Sequence, residues 1–187
     1  MATIIGEVNS VPVSAAQLTA TYFSPNPPSY EHALLASGGF GVAANITLAT
    51  RIFNPFAITI SRITGEVTGQ VAATFFGVAI YTDSTDGSGA KLVDSGAMLS
   101  SANGFIASTI TPVLLNPGMY LFAWNASNNT VTFRVLAAVV ATLNLFNDGT
   151  AQVFTCANNS AGGVCPATLG ALTAANASGL LLTKFQA

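Results

Sequence analysis

The stretch FAITISR, residues 56–62, decides the fold class of this 187-residue chain. Its large apolar residues stand at even positions and its small or polar residues at odd positions. This is the period-two pattern of a β-strand with one buried face. The pattern loses its phase at Ile63, where we expect a β-bulge or a turn near Gly65. The stretch VTFRV, residues 131–135, alternates in the same way and predicts a second strand of this kind.

Two further stretches are apolar on both faces and predict central strands. They are AATFFGVAIY at residues 72–81 and MYLFAW at residues 119–124. Turn signals separate the strands, at residues 83–89 (DSTDGSG), at Asn103-Gly104 and at Asn116-Pro117-Gly118. A last strand over residues 180–185 is expected to return to the sheet. Strands of this length with turns at this spacing predict an all-β protein, a β-sandwich of jelly-roll type.

The first 29 residues contain four prolines and predict a separate arm. Pro25, Pro27 and Pro28 lie in SPNPPS, which cannot supply a continuous row of sheet hydrogen bonds and favours an extended chain. We interpret residues 1–29 as an arm that reaches a neighbouring subunit, followed by a sandwich domain over residues 30–187. The alternative is an ordinary first strand followed by a proline-rich loop.

Charged residues make up only 6% of the chain, against about 25% in typical soluble domains. The longest apolar run, from Val135 to Leu143, is shorter than the roughly 20 residues of a spanning helix, and Met1 to Glu7 does not resemble a signal peptide. We therefore expect a chain made in a cytoplasm, without a membrane partner. Five Lys and Arg residues are too few for extensive phosphate binding, which argues against nucleic acid. A net charge of −2 on a neutral surface favours self-association.

Residues that support catalysis are scarce. The only histidine, His32, follows the proline-rich segment and has no obvious triad partners. Asp83, Asp86 and Asp94 are the candidates for the paired carboxylates of a glycosidase. Asp83 and Asp86 lie in a turn where Asp commonly bonds the nearby backbone, and this turn lacks the full spacing of a calcium loop. We expect no enzymatic activity, no cofactor and no metal site.

Two other groups of residues each have two structural alternatives. Cys156 and Cys165 enclose a loop of Ala, Asn, Ser, Gly and Val, and either a disulfide closes this loop or the thiols stay separate. Tyr81, Asp83 and Asp86 bring an aromatic ring and two carboxylates to the end of one strand. Such a group can contact a surface glycan, whereas the alternative places Tyr81 in the core.

Residues 77–124 resemble a β-sandwich module of bacteriophage virion appendage proteins of the tail-fibre, head-fibre or capsid decoration type. The similar segments are GVAIYTD at 77–83, KLVDSG at 91–96 and LNPGMYLFAW at 115–124. GVCPATLG at 163–170 looks like a GVLPATLG element of the same modules, with Cys165 where leucine is commoner. The resemblance extends over residues 55–187. It implies a structural role in a virion and carries over no catalytic or binding residues.

The resemblance and the low charge lead to a functional hypothesis. We expect a non-enzymatic virion protein, made in the host cytoplasm, that serves as a capsid decoration, head-fibre or tail appendage subunit. Its expected partners are copies of itself, with a trimer favoured, and neighbouring virion proteins. The alternatives are a receptor-binding module for a host surface glycan, a polysaccharide depolymerase, and a bacterial or spore surface assembly protein.

Overall fold

The computed structural model describes residues 20–22, 41–136, 153–175, 180–181 and 183–186. Within these ranges all regular structure is β-strand. The strands are β1 (Ala20–Tyr22), β2 (Thr47–Asn54), β3 (Ile58–Gly69), β4 (Phe75–Thr82), β5 (Lys91–Asp94), β6 (Met98–Leu99), β7 (Gly104–Leu115), β8 (Gly118–Ala126), β9 (Thr132–Phe133), β10 (Val135–Leu136), β11 (Val153–Cys156), β12 (Leu172–Ala175), β13 (Leu180–Leu181) and β14 (Thr183–Gln186). The described segments include no helix with the length and hydropathy needed to cross a bilayer.

The strands form two large antiparallel sheets and a two-stranded ribbon. The seven-stranded sheet has the order β12-β11-β2-β8-β4-β5, with β6 also paired to β4. The five-stranded sheet has the order β1-β14-β3-β7, with β9 also paired to β3. Strands β10 and β13 form the ribbon. The prediction of an all-β protein is therefore confirmed.

A common hydrophobic core joins the two large sheets. Phe122 of the seven-stranded sheet meets Phe185 of the five-stranded sheet edge to face, with 6.0 Å between ring centroids. Phe76 and Phe133 form a second contact between the sheets, at 5.0 Å. Each aromatic ring that is removed from water in this way contributes about 1.5–3 kcal/mol of transfer free energy. The stability of the described fold therefore depends on the contact between the sheets.

The two predicted central strands occupy central positions. Residues 72–81 correspond to β4, which begins at Phe75 and lies between β8 on one side and β5 and β6 on the other. Residues 119–124 correspond to β8, which lies between β2 and β4. Both strands are apolar on two faces because each face of the seven-stranded sheet is covered.

The loss of phase at Ile63 is a bulge. The pairing of β3 with β7 shifts its register between Ile60 and Arg62, and β3 then continues to Gly69 without a turn at Gly65. Gly65 serves packing instead, because a Cβ atom there would lie 2.9 Å from a ring carbon of Phe76. Of the two alternatives, the bulge is therefore correct and the turn is not.

Two other predicted strands are each divided in two. Within the predicted strand of residues 131–135, Thr132–Phe133 form β9 and Val135 begins β10, because the chain changes partners at Arg134, from β3 to β13. The backbone N–H of Arg134 donates to the carbonyl oxygen of Glu66 at 2.9 Å, and this bond holds the chain to β3 at the residue between β9 and β10. Residues 180–185 likewise supply β13 to the ribbon and most of β14 to the five-stranded sheet.

The division of the chain after residue 29 stays a prediction. Strand β1 is the described part of the expected arm, and it pairs with β14 at the edge of the five-stranded sheet. The arm prolines Pro25, Pro27 and Pro28 lie outside the described residues, and so does His32.

Candidate functional site

The face of the seven-stranded sheet that points away from the common core is covered by residues 157–171. This covering segment connects β11 to β12 and is held back on itself by backbone hydrogen bonds from Ala157 to Ala171 and from Asn158 to Leu169, each 2.9 Å. It approaches β4 closely, since a Cβ atom at Gly77 would lie only 2.1 Å from the carbonyl oxygen of Gly163. The sequence indicated a loop between Cys156 and Cys165 but not the surface on which it lies.

A second buried cluster forms beneath the covering segment. Its residues are Ala49, Ala79, Tyr81, Leu121, Ala123, Cys156, Cys165 and Leu169. The alanines leave room for the larger side chains of the covering segment and of Tyr81. From outside the cluster, Lys91 Nζ donates to the carbonyl oxygen of Cys165 at 3.0 Å and also forms an ion pair with Asp94. The covering segment is therefore fixed by apolar burial and by polar bonds at its margin.

Tyr81, a predicted glycan contact, lies inside this cluster and is 0% exposed. Its hydroxyl donates to the carbonyl oxygen of Pro166 at 2.5 Å. Burial of the phenol raises the pKa of Tyr81 above its ordinary value, and the nearby Cys165 adds to this effect. The ring presents no face to solvent, so Tyr81 is a core residue here and cannot stack on a sugar.

Cys156 and Cys165 are both free thiols. They belong to the same buried cluster, and Cys165 Sγ lies 3.8 Å from the carbonyl oxygen of Ala123. Burial raises the pKa of Cys156 to about 12 and shifts the pKa of Cys165 upward as well. In the structure the two thiols are therefore separate, and no disulfide joins them. Both thiols are protonated at neutral pH and poorly suited to nucleophilic chemistry.

Asp83 and Asp86 lie in the turn between β4 and β5, as the sequence predicts. Asp83 Oδ1 accepts from Arg51 Nε at 3.0 Å, and the Arg51 guanidinium lies 5.6 Å from the centre of the Phe154 ring. Asp86 Oδ1 accepts from the hydroxyl of Ser88 at 2.7 Å and from its backbone N–H at 3.0 Å. These bonds lower the pKa of Asp86, and the bond from the Ser88 hydroxyl has the largest effect.

The same turn also holds the covering segment. The carbonyl oxygen of Gly87 accepts from the backbone N–H groups of Leu169 and Gly170, at 3.0 and 3.1 Å. Gly87 has a φ of +70°, which is a conformation that favours glycine. A Cβ atom at Gly87 would lie 1.8 Å from the carbonyl oxygen of Gly170. The contacts of this turn are therefore internal to the fold. Within the described ranges no three His, Cys, Asp or Glu side chains group in a way that could hold a metal ion.

An exposed apolar surface lies where the β2–β3 and β7–β8 connections meet. The side chain of Asn54 joins the connections by donating to the carbonyl oxygens of Leu115 and Asn116, at 3.4 and 3.0 Å. Three large apolar side chains are exposed at this end, Phe53 by 51%, Phe56 by 70% and Leu114 by 60%. Residues 52–60 and 112–120 contain no Asp, Glu, Lys or Arg. We name this surface the uncharged end.

Sequence reasoning missed the uncharged end because it assigned Phe56 to the buried face of a strand. That assignment was wrong, since Phe56 precedes β3 and lies in the connection from β2. The signal that could have revealed the surface is the absence of charge in both segments, together with a proline in each connection, Pro55 and Pro117. Proline interrupts sheet pairing and so places the neighbouring side chains at a turn.

The segments that resemble virion appendage modules are neighbours in the fold. GVAIYTD lies mostly in β4, KLVDSG contains β5, and LNPGMYLFAW supplies most of β8. Strands β5 and β8 both pair with β4, and GVCPATLG forms part of the covering segment across it. No protein-family model matches this chain, and no curated protein matches it.

Proposed function

We propose that this chain is a structural subunit of a bacteriophage virion and that it works by self-association through the uncharged end. The observation that carries the proposal is the exposure of Phe53, Phe56 and Leu114 at a surface formed by segments without charge. Large apolar side chains that are exposed at one end of a domain favour an interaction site there. A charged partner would leave its own charges desolvated there, so the fitting occupant is another uncharged apolar surface.

A second copy of the chain offers that surface without any further requirement. Soluble oligomers are mostly homo-oligomers with closed symmetry, in which copies bring the same patch to one axis. Complete burial of a Phe or Leu side chain contributes about 1.5–3 kcal/mol of transfer free energy. These three side chains are partly buried in the single chain, so association would add only the remainder. Burial of three such side chains per copy favours association into a closed oligomer, and we favour a trimer.

The virion assignment is supported by the resemblance over residues 77–124 and 163–170, whose segments meet around β4. We also infer that the two sheets constitute a β-sandwich of jelly-roll type. The contacts Phe122–Phe185 and Phe76–Phe133 between the sheets support the sandwich. The role as decoration, head-fibre or tail appendage subunit, and contact through the arm of residues 1–29, follow from the resemblance and the proline pattern.

The experiment is a mass measurement by light scattering after size exclusion, followed by binding to virions depleted of this protein. We expect a closed oligomer whose mass does not change between low and high salt, since apolar contacts are not screened by ions. We also expect the purified oligomer to rebind the depleted particles. A monomer at high concentration that fails to bind the particles would contradict the proposal.

A further inference from the structure

The outer face of the five-stranded sheet contains an open cleft of about 300 Å³. Strand β3 provides Arg62, Thr64, Gly65 and Glu66, strand β14 provides Lys184 and Gln186, and strand β7 provides Phe105. In the register of the sheet Arg62 faces Gln186, and Thr64 faces Lys184. Side chains on diagonal positions of neighbouring strands lie about 7–8 Å apart at Cα, so Arg62 and Lys184 can act on one ligand.

The face around this cleft has an excess of positive charge. It carries three of the five bases of the chain, Arg62, Lys184 and Arg134, but one of the four described acids, Glu66. Arg134 Nη2 and Nε bond the two carboxylate oxygens of Glu66 at 3.1 and 3.3 Å, and so neutralise it. A chain with a formal charge of −2 thus places an excess of two positive charges on one sheet face.

Arg62 and Lys184 differ from the other bases in their partners. Each of the others forms an ion pair, namely Arg51 with Asp83, Lys91 with Asp94 and Arg134 with Glu66. Within the described ranges Arg62 and Lys184 have no carboxylate partner. Because both line the cleft, an anionic ligand there would gain two cations without breaking an existing ion pair.

An exposed aromatic ring completes the cleft. Phe105 is 78% exposed, the largest value among the exposed large apolar residues in the described ranges. Its neighbour on the same face of β7 is Ala107, which is small and exposed and leaves one side of the ring open. The hydroxyl of Thr64 and the amide of Gln186 provide hydrogen-bond donors and acceptors nearby. A flat apolar ring beside such groups suits a pyranose, which has one apolar face and a rim of hydroxyls.

We infer that this cleft binds a saccharide that bears a carboxylate, such as a uronic or sialic acid unit. The carboxylate lies between Arg62 and Lys184, the sugar ring packs on Phe105, and the hydroxyls bond Thr64 and Gln186. The volume is at the lower end of the range of small-ligand sites, about 300–1,000 Å³, and matches one or two sugar units. This site goes beyond the proposed self-association and lies on residues other than the Tyr81, Asp83 and Asp86 group.

The test is an NMR titration of the full chain with two acidic saccharides, trigalacturonate and sialyllactose, and with their neutral counterparts, trigalacturonate methyl ester and lactose. At least one acidic saccharide is expected to bind, and its neutral counterpart at least about tenfold more weakly. Arg62→Ala and Lys184→Ala should each weaken binding of the acidic ligand about tenfold, and Arg62→Lys, which keeps the positive charge but loses the planar donor pair, should weaken it less than Arg62→Ala. Phe105→Ala should weaken binding of both forms, whereas Leu99→Ala, which removes an exposed apolar side chain from β6 of the other sheet, should change neither.

Several outcomes would overturn the inference. They are absence of binding for both acidic saccharides at millimolar concentration, equal binding of the neutral forms, and binding that survives the combined Arg62→Ala, Lys184→Ala variant. Tighter binding of a Glu-rich peptide at these residues would assign the cleft to an acidic protein partner instead. Light scattering of the variants separates this test from the proposed function, because none of the cleft substitutions should alter the oligomer mass.

Discussion

The hydroxyl of Tyr81 donates a hydrogen bond to the carbonyl oxygen of Pro166 at 2.5 Å, and this bond joins the central strand β4 to the covering segment. The Tyr81 side chain is fully buried, so its hydroxyl needs a hydrogen-bond partner inside the fold. The same bond explains why a tyrosine stands in a cluster that is otherwise apolar. It follows that β4 and residues 157–171 form one structural unit.

Tyr81→Phe should lower the free energy of unfolding by about 1 kcal/mol, because it removes one internal hydrogen bond and keeps the ring. Urea denaturation measures this loss, and hydrogen exchange should quicken in residues 157–171. The control is Tyr120→Phe, which removes a bond from the Tyr120 hydroxyl to the carbonyl oxygen of Asn116 at 2.7 Å. A similar loss of stability is expected there without faster exchange in the covering segment. Equal exchange in both variants would refute the link between Tyr81 and this segment.

Gly77→Ala should destabilise the fold by about 3 kcal/mol. The new methyl group would meet the carbonyl oxygen of Gly163, a backbone atom that cannot turn aside. Gly96→Ala is the matched control, because Gly96 has a φ of +65° but no atom within 4 Å of an added Cβ. It should cost only the backbone strain of about 1–2 kcal/mol. A smaller thermal shift for Gly77→Ala than for Gly96→Ala would show that the covering segment does not lie closely on β4.

The stability of the protein should fall as the pH rises above about 9. In the unfolded chain Cys156 ionises near its ordinary pKa of 9.0, whereas burial keeps it protonated in the fold up to about 12. The folded state then binds more protons than the unfolded state, so the free energy of unfolding decreases with pH across this window. Below pH 9 both states are protonated and this contribution is fully present.

Urea denaturation between pH 8 and 11 measures this decline, and Cys156→Ala should make it shallower. Part of the decline should remain in this variant, because burial raises the pKa of Tyr81 and Cys165 in the same direction. At neutral pH both thiols should react with a thiol reagent only after unfolding. Rapid reaction of the native protein would contradict their burial.

The strands with the clearest pattern could be predicted from the sequence. β4 and β8 are apolar on both faces, and the pattern placed them correctly at the centre of a sheet. The sequence also predicted an irregularity in β3, either a bulge or a turn, but which of them forms, and where, depends on how Ile60 and Arg62 pair with β7. Local periodicity contains no information on that pairing, because it depends on a strand more than forty residues away.

The candidate site was harder to predict because it depends on contacts that are distant in sequence. Tyr81 was a candidate glycan contact, and only the position of Pro166, 85 residues later, shows that its ring is covered. Arg62 and Lys184 meet in one cleft through the pairing of β3 with β14, which no local pattern indicates. Phe56 continued the alternation of β3 in sequence, but the chain turns before Ile58 and exposes it.

The most direct test of the proposed self-association is the mass in solution of the wild type and of two charge substitutions, measured by light scattering. Phe56→Asp puts a carboxylate into the uncharged end. Phe105→Asp makes the same change at a residue that is more exposed but lies in the cleft of the five-stranded sheet. We predict a closed oligomer for the wild type and for Phe105→Asp, and a monomer for Phe56→Asp. A monomeric wild type, or an oligomer that Phe56→Asp leaves intact, would contradict self-association through this surface.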